Sequence, residues 1–571
     1  MKTSEMRQPK ALVVLFFTEM WERFSFYGMR ALLVLYLIQK LFTDLSEPTA
    51  KAVAIGIFAA YGSLVYASPF IGGLIADKFL GHRKAIIWGA ILMAIGHFTM
   101  AIENEFFLYV ALSFIIVGSG FFKPNMPTIL GSLYKEKDPR RDGGFTIYYM
   151  SVNLGAFISP LICGFVGETY GWHYGFAIAG IGMLAGLFIF LKFGYMLDYH
   201  EETDPNTNET IMVHKLVGEV PDKEKLAKKW LGLSCEMWIY IICVLCVFGV
   251  SLLVKHYEIM TYVLFPFTAA ILGILFVIAI RSEKVERDRL FVILILLMFT
   301  TLFWSFFEQA GSSLTLYAKE NVDRNILGSV VPASLFQSVN PMFILILASP
   351  FSVLWMQLAQ RKKEPSTPIK FSIGILLLSI GFLILGVAPS FLSFETITEE
   401  NAVLRIAAVP AIFLAVSYLL QTMGELCLSP IGLSMVSRLA PAKIAGMVIG
   451  AWHLSSSLAF QIGGWIATAS TTTESTQEIT TEQSTGKPDK VSKDTYVTQS
   501  SDFDEESVSR AVSKKYISES EAQQLSAEEK SSLSHLLQYT NVFVRVGIVA
   551  LLASILLFFL SPFITRMMHE D

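Results

Sequence analysis

The chain has 571 residues, 53% of them hydrophobic and only 16% charged, with a mean hydropathy of +0.54; this excludes an ordinary soluble domain. Its net charge of −4 is small, and its basic residues do not gather into a patch interleaved with aromatics, so nucleic acid is not an expected partner. Cys163, Cys243, Cys246 and Cys427 sit inside apolar runs and Cys235 lies just before one, without metal-ligand spacing, so no metal site is expected.

Apolar runs long enough to cross a hydrocarbon core of roughly 30 Å recur from end to end. Met1 to Lys10 is polar and basic and leads straight into the first run, over 11–38, whose Glu19, Glu22 and Arg23 mark a membrane helix, not a cleavable signal. Further spans are predicted near 52–76, 85–101, 106–130, 144–168 and 174–196. A polar stretch from His200 to Lys229 follows, and then two apolar runs at 237–254 and 260–280. Six more spans are predicted near 290–317, 334–359, 371–392, 403–437, 444–469 and 541–562. The fold class expected is thus an all-α polytopic membrane protein of 14 helices. A six-helix bundle occupies 1–199, a linker 200–235, two inserted helices 236–289 and a second six-helix bundle 290–571. Within the last lies a polar insertion at about 471–538; its first part is expected to be disordered, while Asp504 to Ser534 has the composition of a short helix.

Basic residues in short loops set the orientation. Lys78, Arg83 and Lys84 fall in one loop, Lys135, Lys137, Arg140 and Arg141 in another, and Arg361, Lys362 and Lys363 in a third. All three lie on the side of the N-terminus, so both termini are predicted cytoplasmic and the 471–538 insertion periplasmic.

An internal echo suggests two related halves. Ala67-Ser68-Pro69-Phe70 in the second span recurs as Ala348-Ser349-Pro350-Phe351 in the eighth, and Gly120-Lys123-Pro124 in the fourth is echoed by Gly424-Glu425-Pro430 in the tenth. Duplicated bundles would leave such a trace, with a substrate site at their interface.

A charged side chain at mid-bilayer costs about 2.5 to 3.5 kcal/mol on insertion scales, so charges inside spans are functional suspects. Glu19, Glu22 and Arg23 stand at i, i+3 and i+4, and Tyr27 and Arg30 continue the same helical stripe. Lys123, Glu308 and Glu425 fall in later spans. The bland alternative is that these groups only staple helices together. Yet the first half carries the cations Arg23, Arg30 and Lys123, whereas the second contributes Glu308 and Glu425 with no evident buried cation. Such a division suits a zwitterion with separated ends. The carboxylates also suit proton coupling, because burial and basic neighbours move a carboxyl pKa in opposite directions and breaking a pair exchanges a proton.

These residues carry a family resemblance. The runs Glu19-Met-Trp-Glu22-Arg23-Phe24-Ser-Phe26-Tyr27-Gly28, Gly72-Gly73-Leu-Ile-Ala-Asp77-Lys-Phe-Leu-Gly81, Phe145-Thr-Ile-Tyr-Tyr149-Met-Ser-Val-Asn153-Leu-Gly155 and Gly424-Glu425-Leu-Cys-Leu-Ser429-Pro430 resemble the proton-dependent oligopeptide transporters, within the major facilitator superfamily. The E-x-x-E-R run is the specific one; the Gly/Asp/basic loop is shared across the superfamily. The likeness spans nearly the whole chain, and the two inserted helices resemble bacterial members.

The resemblance implies a proton-coupled symporter of di- and tripeptides in the bacterial cytoplasmic (inner) membrane, functional as a monomer, with protons as coupling ion and no cofactor. It implies that Glu19, Glu22 and Arg23 couple protonation with Lys123, and that Glu308 is a proton site exchanging with Arg30. The peptide carboxylate would face Arg30 and Lys123 and its amino group Glu425. Asn153 and Asn340 would hydrogen-bond its backbone, and Tyr27, Tyr66, Phe336, Ser429 and Trp452 would line side-chain pockets. The loop of Asp77 and Arg83 would latch the cytoplasmic side by charge pairing. Two departures bear on this: Phe26 stands where the family pattern has a Tyr, and Ala59 stands where some members carry a His, so coupling must rest on carboxylates and their basic partners.

Pro124, Pro160, Pro341, Pro350 and Pro430 fall inside spans and are candidate hinges. Of the competing readings, a polytopic enzyme lacks any HExxH or GxSxG motif among its scattered histidines. A carrier of another small solute (an amino acid, nitrate or a drug) fits the E-x-x-E-R run and the opposed charges less well than a peptide carrier does.

Overall fold

The computed structural model describes residues 8–135, 138, 140–203, 210–214, 216–326, 328–399, 402–441, 444–471 and 504–569. The chain begins with α1 (Ala11–Tyr36), α2 (Glu47–Ile75), α3 (His82–Met100) and α4 (Glu105–Phe122). There follow α5 (Asn125–Ser132), α6 (Arg141–Ser159), α7 (Phe165–Tyr170), α8 (Trp172–Phe193) and a short α9 (Lys223–Ala227). Next come α10 (Cys235–Lys255), α11 (Ile259–Arg281), α12 (Lys284–Phe307), α13 (Ser313–Asn321) and α14 (Val339–Gln360). The last long helices are α15 (Thr367–Val387), α16 (Ala411–Leu439), α17 (Ala445–Thr471) and α18 (Ala527–Met568).

Eleven helices among the described residues are long and apolar enough to cross a membrane. The three other expected spans are helical too, as α1, α3 and α17. α1 carries Glu19, Glu22, Arg23 and Arg30, and α3 opens on His82, Arg83 and Lys84, which lowers their apolar character. The full count of fourteen crossings is therefore not reached on length and composition alone.

Packing divides the chain into two units, one of residues 1–33 and 60–261 and the other of 34–59 and 262–571. These cuts fall at other places than the sequence boundaries 199, 235 and 289. α10 packs with the first unit: Lys84 Nζ lies 2.6 Å from Glu236 Oε1, the Trp88 and Tyr240 rings are 4.5 Å apart, and Cys243 joins Leu80, Phe121 and Leu226 in a buried cluster. From Tyr262 onward α11 belongs to the second unit, where Phe265 stacks on Trp465 with ring centroids 5.4 Å apart.

In the first unit the close crossing of α2 and α4 explains Gly72, where a Cβ would run into the Gly120 carbonyl. α4 gives way to α5 at Lys123–Pro124, since proline has no N–H to continue the ladder. Asn125 Nδ2 donates to Phe121 O at 2.6 Å beside this break. Pro160 opens a π-helical turn, Pro160–Gly164, between α6 and α7. Pro341, Pro350 and Pro430 lie within α14 and α16, which are continuous. Only two of the five candidate hinges thus coincide with a break between helices.

In the second unit, small and hydroxyl side chains let α15 approach α18. Ser372 Oγ donates to Ser554 O at 2.9 Å, Ser554 Oγ returns a bond to Ser372 O at 2.8 Å, and Ser379 Oγ donates to Gly547 O at 2.7 Å. The span expected at 403–437 is corrected here. Ala402–Pro410 is a strand, antiparallel to Ser393–Glu399 and joined by Val322–Asp323 in parallel, and α16 starts only at Ala411, after Pro410. In the polar insertion, residues 472–503 lie outside the described residues. The short helix expected in Asp504 to Ser534 is in fact a helix over 504–513, a turn at Glu519–Ala522 and the first turns of α18, which opens on a Ser526/Glu529 capping box. Lys137, counted among the loop cations above, is also outside the described residues.

Candidate functional site

The expected residues separate cleanly between the packing units. Glu19, Glu22, Arg23, Tyr27, Arg30, Tyr66, Lys123 and Asn153 are in the first; Glu308, Phe336, Asn340, Glu425, Ser429 and Trp452 are in the second.

The helical spacing of α1 produces a buried ionic knot. Arg23 Nε lies 2.7 Å from Glu19 Oε1 and 3.0 Å from Glu22 Oε2, and both carboxylates are sealed from solvent, 1% and 0% exposed. α6 presses its backbone against this knot at Gly155, where a Cβ would strike Met20 O and Arg23 Cβ. That gives the Asn153-Leu-Gly155 run a physical reason. Lys123, at the α4–α5 break, completes the set, and the charges acting on it are Arg23, Glu22, Glu19 and Arg30. Two acids thus stand among three cations, Arg23, Arg30 and Lys123, and gain or loss of one proton changes the net charge of the group.

Lys123 Nζ makes no hydrogen bond. It sits instead 4.0 Å from the ring centroid of Phe26 and 4.7 Å from that of Tyr66. Arg30 is buried, with its guanidinium carbon 5.8 Å from the Tyr27 ring centroid. Asn153 Nδ2 donates to Tyr149 O at 3.0 Å, one turn back on α6, so part of its donor capacity is used inside the helix.

The second unit gathers carboxylates. Glu425 on α16 is 7% exposed, and Asn340 Nδ2 donates both to its Oε2 at 3.1 Å and to Thr422 Oγ1 at 2.9 Å. Thr422 Oγ1 in turn donates to Tyr418 O at 2.7 Å. Glu308, equally buried, opens a 3-10 turn, Glu308–Gly311, between α12 and α13, and its charge acts on Glu425. Gln309 secures that turn: its Nε2 donates to Ser305 O at 3.0 Å and Gly463 O at 2.9 Å, and its Oε1 accepts from Ser313 Oγ at 2.6 Å. Phe336 is buried in a 3-10 turn before α14. Trp452 is buried, with its ring centroid 6.5 Å from that of Phe371, and Ser429 is half-buried one turn beyond Glu425.

One expectation changes. The second half was expected to bury no cation, but Arg324 and Lys370 are 5% and 7% exposed. Each is buried because it is partnered, Lys370 by Glu364 and the face of Trp355, and Arg324 by Val331 O at 3.2 Å. In the loop of Asp77 and Arg83, Arg83 makes a two-pronged bond to Asp198, 3.0 Å to Oδ2 and 2.7 Å to Oδ1, and donates to Gly194 O at 3.0 Å, while Asp77 is exposed, 3.8 Å from His82 Nε2. Asp198 also accepts from Val217 N at 3.1 Å, tying the 216–226 segment to the start of α3.

Sequence reasoning passed over Asp198, whose signal was a lone acid closing an apolar span. It also passed over a second ionic cluster. Lys51 Nζ lies 2.7 Å from Glu47 Oε1 and 3.0 Å from Glu320 Oε1, with Tyr539 donating to Glu320 Oε2 at 3.1 Å and His535 Nδ1 3.7 Å from that oxygen. The ligand atoms of Glu47, Glu320 and His535 lie within 4.8 Å of one another, as a metal would need, but Lys51 already supplies the positive charge there.

Residues 83–484 match the model of the POT family. A peptide transporter of Yersinia enterocolitica is 39% identical over 469 residues, covering 80% of this chain and 87% of that protein. Dipeptide and tripeptide permease B of Salmonella typhimurium is 30% identical over 468 residues, covering 82% of this chain and 88% of the permease. Among solved structures, peptide transporter POT in complex with sulfate superposes with a TM-score of 0.71 at 29% identity, covering 99% of this chain and 98% of that one. A POT family transporter in complex with 5-aminolevulinic acid gives 0.70 at 30% identity, over 98% and 97%.

Proposed function

The chain belongs to the POT family, and from that premise we propose that it is a proton-coupled symporter importing di- and tripeptides across a bacterial inner membrane. It is a multi-pass membrane transporter, not an enzyme. The observation that carries the reading is the division of the expected site charges: Arg30, Lys123 and the α1 knot in one packing unit, Glu308 and Glu425 in the other, where the buried cations Lys51, Arg324 and Lys370 each have partners of their own. A zwitterionic peptide offers a carboxylate for Arg30 and Lys123 and an ammonium for Glu425. Its backbone amides suit Asn153 and Asn340, and its side chains suit Tyr27, Tyr66, Phe336, Ser429 and Trp452.

Proton coupling rests on Glu19, Glu22, Arg23 and Lys123 in the first unit and on Glu308 in the second, through exchange with Arg30. A potential of about 150 mV supplies roughly 3.5 kcal/mol per proton, enough for a few hundred-fold accumulation of a neutral solute. The basic loops at 78–84, 135–141 and 361–363 support cytoplasmic termini, and Asp77 and Arg83 stand in the first of these, at the proposed cytoplasmic latch.

The reading is tested by competition. Unlabelled di- and tripeptides should displace a labelled dipeptide from uptake into proteoliposomes, and free amino acids and nitrate should not. Glu425→Gln should raise the dipeptide KM at least tenfold. Displacement by nitrate or amino acids alone would assign a different solute.

A further inference from the structure

The ammonium of Lys123 is held in an uncommon way. It is buried at the α4–α5 break, makes no hydrogen bond, and rests between two ring faces, 4.0 Å from the Phe26 centroid and 4.7 Å from the Tyr66 centroid. A desolvated cation over an aromatic face is attracted by the ring quadrupole. That attraction has no hydrogen-bond direction and leaves the ammonium donors unused, unlike a charge-assisted bond to a carboxylate.

The Phe26 ring is itself fixed. Its residue is 1% exposed, its ring stacks on Tyr61 with centroids 6.3 Å apart at 27°, and it meets Tyr27 edge-on at 5.2 Å. The charged groups acting on Lys123 come from α1, namely Arg23, Glu22, Glu19 and Arg30. α2 contributes the phenols of Tyr61 and Tyr66, and α6 contributes Tyr148, on which Glu19, Arg23 and Glu22 act in turn. Among these opposed charges, the Lys123 ammonium rests on rings and not on a carboxylate.

We propose that Phe26 is a positioning residue for transport: its ring face, with that of Tyr66, is the resting seat of the Lys123 ammonium, keeping its donors available for a substrate carboxylate. The ammonium leaves the rings for the stronger bond when an anion arrives, and returns when it departs. Phenylalanine is sufficient at this position because the face is used, not a hydroxyl. The inference rests on the transport function proposed above for its consequence, while the seat itself is a property of the protein without substrate.

The test separates the two. Full-length protein labelled with ¹³Cε-lysine is titrated by NMR in detergent, with the Lys123 signal identified by its loss in Lys123→Ala. Phe26→Leu, which fills the space without a ring, should move the Lys123 midpoint by roughly 0.5 to 1.5 pH units, and Phe26→Tyr, which keeps the face, should leave it within about 0.3 of the parent. In dipeptide counterflow, Phe26→Leu should raise KM about three- to tenfold, Phe26→Tyr should restore it, and Phe26→Leu should add nothing in the Lys123→Ala background. An unmoved Lys123 midpoint in Phe26→Leu, or equal shifts in the Leu and Tyr variants, overturns the seat. A leucine penalty on KM that persists without Lys123 overturns the positioning role and assigns Phe26 to packing. Failure of the parent protein to exchange dipeptides counts against the transport reading alone, because the NMR titration still decides the seat.

Discussion

The amide nitrogen of Asn340 lies 3.1 Å from Oε2 of Glu425, so the buried carboxylate at the centre of α16 is oriented by a donor one helix away on α14. The same nitrogen donates to Thr422, which makes the amide a brace between the two helices. A hydrogen bond to a charged group contributes roughly 1.5 to 3 kcal/mol. Asn340→Ala is therefore expected to raise the dipeptide KM at least tenfold with little change in maximal counterflow rate, and Asn340→Gln to recover little because its longer arm misplaces the donor. Steady-state counterflow kinetics measure both.

Arg23 is bonded to two carboxylates that have almost no contact with solvent. Removing one partner of a buried ionic set costs roughly 3 to 5 kcal/mol, so Arg23→Ala should be strongly destabilised, with a Tm many degrees below the parent. Glu22→Gln removes a charge while keeping the shape. Because Arg23 keeps its bond to Glu19, the variant should lose less Tm than Arg23→Ala and retain counterflow while losing gradient-driven accumulation, a split that a role in packing alone does not produce.

Lys51 lies between Glu47 and Glu320. Lys51→Ala leaves two carboxylates facing each other beside His535 without a cation, and protonation of either relieves the repulsion. The Tm deficit of the variant relative to the parent should therefore be largest near neutral pH and shrink as the pH falls toward 4. A deficit independent of pH would show that the lysine acts by packing alone.

Asp198 anchors Arg83 through both carboxylate oxygens and also receives Val217 N. Arg83→Lys cannot reproduce the two-pronged geometry. It should cost about 1 to 3 kcal/mol locally and speed amide hydrogen exchange at Val217 by tenfold or more, without altering exchange in α15 or α18.

Much of the architecture was legible because long apolar runs broken by charge and proline have few other meanings. The E-x-x-E-R spacing likewise placed Glu19, Glu22 and Arg23 on one stripe of α1, where they meet. At 403–410 hydropathy and structure differ. Val403 to Val409 is apolar and runs into the apolar start of α16, so hydropathy merges them, while the strand is set by pairing to residues 393–399, far below the length that a hydropathy pattern resolves. The partners of Arg83 and Asn340 were not legible, since both bonds join residues more than 80 positions apart. Nor could spacing show that Lys123 rests on rings from α1 and α2, or that α10 and α11 pack with different units.

The central claim is that protons drive peptide entry through these buried charges, and gradient-driven uptake of a labelled dipeptide into proteoliposomes tests it most directly. With an inward proton gradient the parent protein should accumulate the dipeptide well above the external concentration, and a protonophore, Lys123→Ala or Glu22→Gln should reduce uptake to equilibration or below. Accumulation that ignores the gradient, or that survives these substitutions unchanged, would contradict the account.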